Sequence, residues 1–366
     1  MKIKDILAII EEVAPLRLQE SYDNSGLLVG DGQAEVERVL LCIDITEAVV
    51  QEAIDRGCGL VLSHHPIIFH GLKRLTPATY VERTVLLAIR NNIALAAMHT
   101  NLDNSNLGVN KRIADKLGIV ATQILDAKAG ILNKLITFVP ESHADAVREA
   151  MFEAGGGHIG NYSSCSYNIN GLGTFKANNE ARPFVGTAEE LHFEPEQRIE
   201  MVVPNYLIHQ VTKAMKTVHP YEEVAYDVIE LHNNWSNAGA GMIGLLPKPM
   251  DEIEFLEHLR QVFRVPVIRH SPFLHRKIEK VAFCGGSGAF LLPQAKSAGA
   301  DAFITADIKY HQFFDPDGAL LMVDVGHFET EQFTKELMAD ILRKKNANFA
   351  VLFSDVNTNA VRYYFK

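Results

Sequence analysis

The chain has 366 residues, 47% hydrophobic, 22% charged and 8% aromatic, a composition with room for two or three folded domains and against long disordered or low-complexity stretches. A formal charge of -10 and a pI near 5.8 argue against a general binder of nucleic acid or anionic membranes. No Lys/Arg-rich block occurs, and no apolar run approaches the ~18 residues of a membrane span.

In chain order, Ile3, Ile6, Leu7 and Ile10 fall at helical spacing among charged residues, with Pro15 beyond, which predicts an amphipathic helix and not an export signal. Cys42, Cys58, Cys165 and Cys284 form no C-x-x-C pair, and three of them lie in or beside apolar runs. These read as reduced core thiols, so a cytoplasmic protein is expected. Residues 22–30 predict a turn and a short apolar segment. Residues 39–43 predict a buried strand, followed by a helix that Thr46 caps and Gly57 closes.

Leu60, Val61 and Leu62 predict the next strand, which runs into Ser63, His64, His65 and Pro66. Successive strand residues face opposite ways, so two adjacent histidines converge only if the strand ends there, and Pro66 supplies that ending. Neutral imidazole is the commonest metal ligand, which makes this a candidate metal site; two loop histidines without a role is the competing reading. A helix over 80–90 and a strand over 93–98 follow, then His99 to Asp103. Alternating strands and helices predict βαβ units, a mainly parallel sheet buried on both faces, and ligands outside the strands' carboxyl ends. His64, His65 and Asp103 all fall at such ends.

The texture changes near residue 131. Strands near 135–139 and 198–203, helices near 144–154 and 207–218, a Ser/Tyr/Asn-rich strand between them and a last strand over 224–231 give the order β-α-β-β-α-β, a ferredoxin-like plan. Residues 131–232 are therefore expected to be an inserted domain between an N-terminal α/β lobe, 1–130, and a C-terminal one, 233–366. Residues 233–241 read as a linker. The turn from His219 to Glu223 reads as structural, and His70 and His258 have no partner pattern.

The last third predicts strands over 281–284, 302–305, 320–323 and 349–353. The loop Gly285, Gly286, Ser287, Gly288 follows a strand and opens a helix, so its N–H groups could cradle phosphate, although the Walker lysine and full dinucleotide spacing are missing. His327 and Glu331 are four apart, on one face of a predicted helix that continues through Phe333, Leu337, Met338 and Ile341. Glu329 points away from them. With His64, His65 and Asp103 they make five N/O donors, a set that suits a pair of divalent ions (Zn, Mn, Fe, Co or Ni). His99 and His311 are candidates to orient ligands, relay protons or bind substrate. For Asp23, Asp44 and Asp307, capping or turn roles are at least as good a reading.

The motifs Ser-His-His-Pro, His-Thr-Asn-Leu-Asp and Gly-His-Phe-Glu-Thr-Glu, in this order, resemble the Nif-three-like family of dinuclear-metal proteins, whose members are also called type 2 GTP cyclohydrolase I homologues. Residues 22–30 and 305–311 are similar to further motifs of that family, and the middle resembles the PII/CutA-like insert of its longer bacterial members. The resemblance places the family's metal ligands on His64, His65, Asp103, His327 and Glu331. It implies two metals per subunit, two interlocked α/β lobes, and a toroidal homohexamer with metal sites facing inward. It further implies a two-metal hydrolase that opens the guanine imidazole ring of GTP with release of formate; a phosphoester or another cyclic amide is a comparable substrate. No Ser or Cys nucleophile stands beside a base, so activated water is the expected attacker, with His99 or His311 as general acid. The other reading is a non-enzymatic metal-handling or regulatory hexamer whose insert senses a small ligand. Nucleic acid inside the ring is disfavoured by the acidic balance.

Overall fold

The apolar runs of the two outer segments become the inner strands of two sheets in a computed structural model that describes residues 1–364. The first sheet has the order Gly26–Val29, Ala94–Ala97, Leu60–Ser63, Arg38–Cys42, Ala350–Phe353. Its first pairing is antiparallel and the other three are parallel. Leu60–Ser63 and Ala94–Ala97 are wholly buried because both faces of the sheet are covered. On one side lie Val49, Val50, Val85 and Ala88. These belong to helices Glu47–Asp55, capped by the Thr46 hydroxyl, and Tyr80–Arg90, opened by a Thr79–Glu82 capping box. On the other side lies a larger core that joins Ile3, Ile6, Leu41, Leu62 and Met98 to Phe255, Phe283, Ile304 and Val323.

The second sheet runs Arg269–His270, Leu321–Asp324, Ala302–Ala306, Lys277–Ser287, Trp235–Asp251, Val120–Lys128. It is mixed rather than mainly parallel: only its three central strands pair in parallel, with antiparallel strands flanking them. The lobes are interlocked because each sheet takes a strand from the far end of the sequence. Ala350–Phe353 closes the first sheet beside Arg38–Cys42, and Val120–Lys128 joins the second. Neither lobe is thus a continuous stretch, and residues 1–126 with those from 237 onward pack as one unit.

Two expectations need correction. The small, polar run from Trp235 to Gly241 is no linker but the start of a 17-residue strand. Lack of bulk is a packing requirement there and further along the strand: a Cβ on Gly241 would stand 2.8 Å from Leu291 Cδ1, and one on Gly244 2.5 Å from Ile119 Cγ2 and 2.7 Å from the Val120 carbonyl oxygen. The single helix expected after His327 is broken into His327–Glu331 and Thr334–Lys345. At the break the Gln332 side-chain amide donates to the Glu329 carbonyl at 2.8 Å and to Phe263 at 2.9 Å.

Residues 127–236 form the second unit. It runs Leu132–Pro140, Ala144–Glu153, Tyr167–Lys176, Leu191–Pro204, Ile208–Val218, Tyr226–Leu231, with all strand pairings antiparallel. Alternation puts Ile199, Met201 and Val203 into a core with Val147, Met151, Val211 and Met215 of the two helices. The ferredoxin-like order expected from the sequence is the one present. Among the described residues no helix is long and apolar enough to cross a membrane, and all four cysteines are free thiols, Cys42, Cys58 and Cys284 buried.

Overpacking a close backbone approach costs about 1–3 kcal/mol. Gly244→Ala is expected to lose that much stability in urea unfolding, and an unchanged midpoint would contradict the packing described for this strand.

Candidate metal centre

His64 and His65 lie just past strand Leu60–Ser63, and their N–H groups extend its pairing by donating to Cys42 and Ile43 carbonyls at 3.2 and 2.9 Å. The Ser63 hydroxyl then donates to the His65 carbonyl at 2.6 Å, a local turn that ends the strand. Both rings consequently fall on one side, with centroids 4.8 Å apart. Asp103 ends the short helix Thr100–Asp103 that follows the neighbouring strand, and Asn110 braces it by donating to the Asp103 carbonyl at 3.1 Å. His327 and Glu331 arrive on helix His327–Glu331 after strand Leu321–Asp324 of the second sheet. The carboxyl ends of strands from both sheets therefore supply one cluster.

Every imidazole in it is oriented the same way. His64 Nδ1 lies 2.9 Å from the Met98 carbonyl, which can only accept, so Nδ1 carries the proton. The corresponding nitrogens donate to Asp44 from His65 at 2.8 Å, to Asp307 from His327 at 2.7 Å and to Asp23 from His99 at 2.8 Å. Fixing the proton on Nδ1 turns each Nε2 lone pair toward the centre, the usual outer arrangement of metal-binding histidines. Asp307 reaches its position through a left-handed backbone, φ 56°, a conformation Asp tolerates better than bulky residues and that recurs at functional sites.

The facing atoms converge on Glu331. Its Oε1 lies 3.6 Å from His64 Nε2, and its Oε2 lies 2.9 Å from His65 Nε2 and 3.2 Å from His327 Nε2. Asp103 Oδ1 is 3.6 Å from His64 Nε2. His64 Nε2, Asp103 Oδ1 and Glu331 Oε2 are buried without a hydrogen-bond partner. Buried polar atoms are nearly always satisfied, so three within one cluster of donors fit a bound cation. His65, His327 and Glu331 form one group with metal-ligand spacing, and His64, His65 and His99 form another. The donor set is nitrogen and carboxylate oxygen, suited to a divalent transition ion.

Protons compete for the same atoms. Burial disfavours a charged His65, but the carboxylates of Asp44 and Glu331 outweigh it and raise its pKa to about 10. His327 is raised to about 9 by Glu331 and Asp307 against the same burial cost. His64 is raised as well, by Asp103 and Glu331. Burial would push the Glu331 carboxyl up, yet the three surrounding imidazoles hold it well below the usual range. Asp23 is likewise held far down against burial by donors from His99 and Thr100.

The expected ligands His64, His65, Asp103, His327 and Glu331 are all brought together, with His99 beside them, its ring 5.3 Å from those of His64 and His65. His311 is not brought in: it is exposed on the turn Tyr310–Phe314 with its ring against Tyr310. Glu329 faces away and accepts from Asn359. Asp23, Asp44 and Asp307 have more than turn roles, since each holds an imidazole. The loop from Gly285 to Gly288 is not a phosphate cradle. Gly285, Gly286 and Gly288 already donate to Asn110, Thr330 and Thr305, and a 3-10 turn, Ala289–Leu291, separates the loop from the short helix Leu292–Ser297. Gly286 serves the cluster instead: a Cβ there would stand 2.2 Å from Glu331 Oε1.

The family model described as Duf34/NIF3 (NGG1p interacting factor 3) matches residues 1–360. A "GTP cyclohydrolase 1 type 2 homolog" of Halalkalibacterium halodurans is 39% identical over 360 residues, covering 97% of this chain and 96% of that protein. A protein of the same name from Listeria innocua is 34% identical, covering 97% of both. Among solved structures, a Bacillus cereus protein related to NIF3 is similar with a TM-score of 0.87 at 36% identity, covering 100% of this chain and 99% of that one.

Linkage sets the pH behaviour of the cluster. Because the His65 and His327 values lie above the ordinary 6.5, their stabilisation of chelator-treated protein is full below 6.5 and is lost as pH rises through about 9 and about 10. A cation needs the same nitrogens deprotonated, so its stabilisation grows with pH. The melting-temperature gap between zinc-loaded and chelated protein is expected to widen from about pH 6 to about pH 9, with protons released on loading. A gap that stays flat would contradict imidazole ligation.

Proposed function

The chain belongs to the Duf34/NIF3 family, and from that premise we propose that it is a metal-dependent hydrolase whose five donors, His64, His65, Asp103, His327 and Glu331, would hold two divalent ions. The observation that carries this reading is the division of one buried carboxylate: Oε1 faces His64, near Asp103, while Oε2 faces His65 and His327. Two carboxylates and three imidazoles are more donors than a single tetrahedral ion takes. When bound, such a pair of ions would supply Lewis acidity and lower the pKa of water toward neutrality.

The remaining work falls to the chain's own residues. His99 lies outside the five donors of this reading, yet stands beside His64 and His65 with its Nδ1 tied to Asp23. With Nδ1–H held by a buried carboxylate, its Nε2 is the atom that can take a proton from an attacking water or give one to a leaving nitrogen or oxygen. Asp23 is fixed in turn by the Thr100 amide and hydroxyl, the Asn24 amide and the Ser25 hydroxyl. A cavity of about 460 Å³ opens beside His65 and His327, bounded by Arg269, Phe328, Asn359 and Tyr363, and it accepts a small molecule. Among the described residues Arg269 is the one Lys or Arg that lines it, paired with Asp324 at 2.9 Å.

The name of the relatives makes GTP the first substrate to test, as hydrolytic opening of its imidazole ring with release of formate; cyclic amides and phosphoesters follow. The assembly in this reading is the ring-shaped homohexamer, supported by the exposed rings of Tyr310 and Phe314, 5.8 Å apart on the turn Tyr310–Phe314.

Metal-loaded protein is expected to turn over a member of this substrate panel, and His99→Gln to slow it by about 10²–10⁴-fold with metal content unchanged. Light scattering on the same preparation is expected to give six times the 40.6 kDa chain mass. Full metal content with no turnover on the whole panel would contradict the hydrolase and favour a metal-handling scaffold; a monomer would contradict the ring.

A further inference from the structure

A second cavity, of about 470 Å³, lies within the unit of residues 127–236 and has no part in the hydrolase reading. Its walls include Phe138, Phe175, Phe184 and Tyr221, and its carboxylates are Glu196, Glu222 and Glu223. The Tyr221 ring stands at the corner, 6.3 Å from Phe175 at 60° and 6.4 Å from Phe184 at 52°. Three aromatic rings thus border one space, and a cation within about 6 Å of a ring centroid is attracted by the negative face of the ring. Tyr221 also donates its hydroxyl to Glu196 Oε1 at 2.7 Å, which fixes this carboxylate against the aromatic wall.

The charge of the cavity is uncompensated. Glu222 accepts only the backbone N–H of Arg182, at 2.8 Å. Among the described residues no Lys or Arg side chain pairs with Glu196, Glu222 or Glu223. The nearest candidate, Arg198, does not line the cavity; it is tied to Glu200 at 2.8 Å, with its guanidinium 6.0 Å from the Phe138 ring. The complement to aromatic walls with unpaired carboxylates is an organic cation. An inorganic ion fits poorly, because this volume far exceeds one ion and no cluster with metal-ligand spacing occurs here among the described residues.

We propose that this cavity of the inserted unit binds a small organic ammonium ion, its alkylated nitrogen held among Phe175, Phe184 and Tyr221 and its charge met by Glu196. The site differs from the metal centre in every residue, so its test is independent of the hydrolase reading.

The test uses full-length protein, titrated calorimetrically with choline and with 3,3-dimethylbutan-1-ol, which has the same shape but carbon in place of the charged nitrogen. Choline is expected to bind at least about tenfold more tightly than the neutral alcohol. Phe184→Ala, at an exposed loop position, and Glu196→Gln, which keeps an acceptor for Tyr221, are each expected to weaken choline about tenfold with unchanged melting temperature. Absence of choline binding, equal binding of the alcohol, or full binding by both variants would overturn the proposal.

Discussion

A buried carboxylate, Glu331, is the constraint on which the outer fold depends. Only 3% of the residue is exposed, and an ionised carboxylate so enclosed costs several kcal/mol unless charge and hydrogen bonds surround it. The groups that surround it come from His64 and His65, over 260 residues earlier, and from His327 on its own helix. The first two cannot be supplied locally, so strand ends of both sheets must come together before Glu331 is satisfied.

The strand exchange between the sheets serves that requirement. Ala350–Phe353 beside Arg38–Cys42, and Val120–Lys128 in the second sheet, bind each sheet to the far segment of the chain. The shared apolar core then holds the carboxyl ends of both sets of strands in fixed register. Around the cluster a ring of acceptors, Met98, Asp44, Asp307 and Asp23, chooses one tautomer for four imidazoles. The centre is thus assembled before any ion arrives, which limits reorganisation on binding.

Much of the site was legible in the sequence because its signals are local. Two histidines at a strand end and a His–Glu pair at helical spacing need no knowledge of the fold to be noticed. The orienting carboxylates were not legible, since Asp44, Asp23 and Asp307 sit where an Asp is equally good as a turn residue. Their partners lie 21, 76 and 20 residues away. His311 drew attention through its motif, but the fold leaves it exposed. Small residues mislead in a consistent way: Gly241 and Gly286 read as linker and phosphate loop, whereas both mark places where another chain segment or a carboxylate comes too close for a Cβ. The break after Glu331 was missed because it depends on one side-chain amide, that of Gln332.

Under the proposed reading Glu331 would serve two ions and tie them to both lobes, and a count of bound metal decides it. Plasma mass spectrometry of native protein, wild type and Glu331→Gln, reads the number bound per chain. Two equivalents in the wild type, with both lost or greatly weakened in the variant while the fold is retained, is the predicted result. Two equivalents retained by Glu331→Gln, or a wild type that binds at most one, would contradict the account.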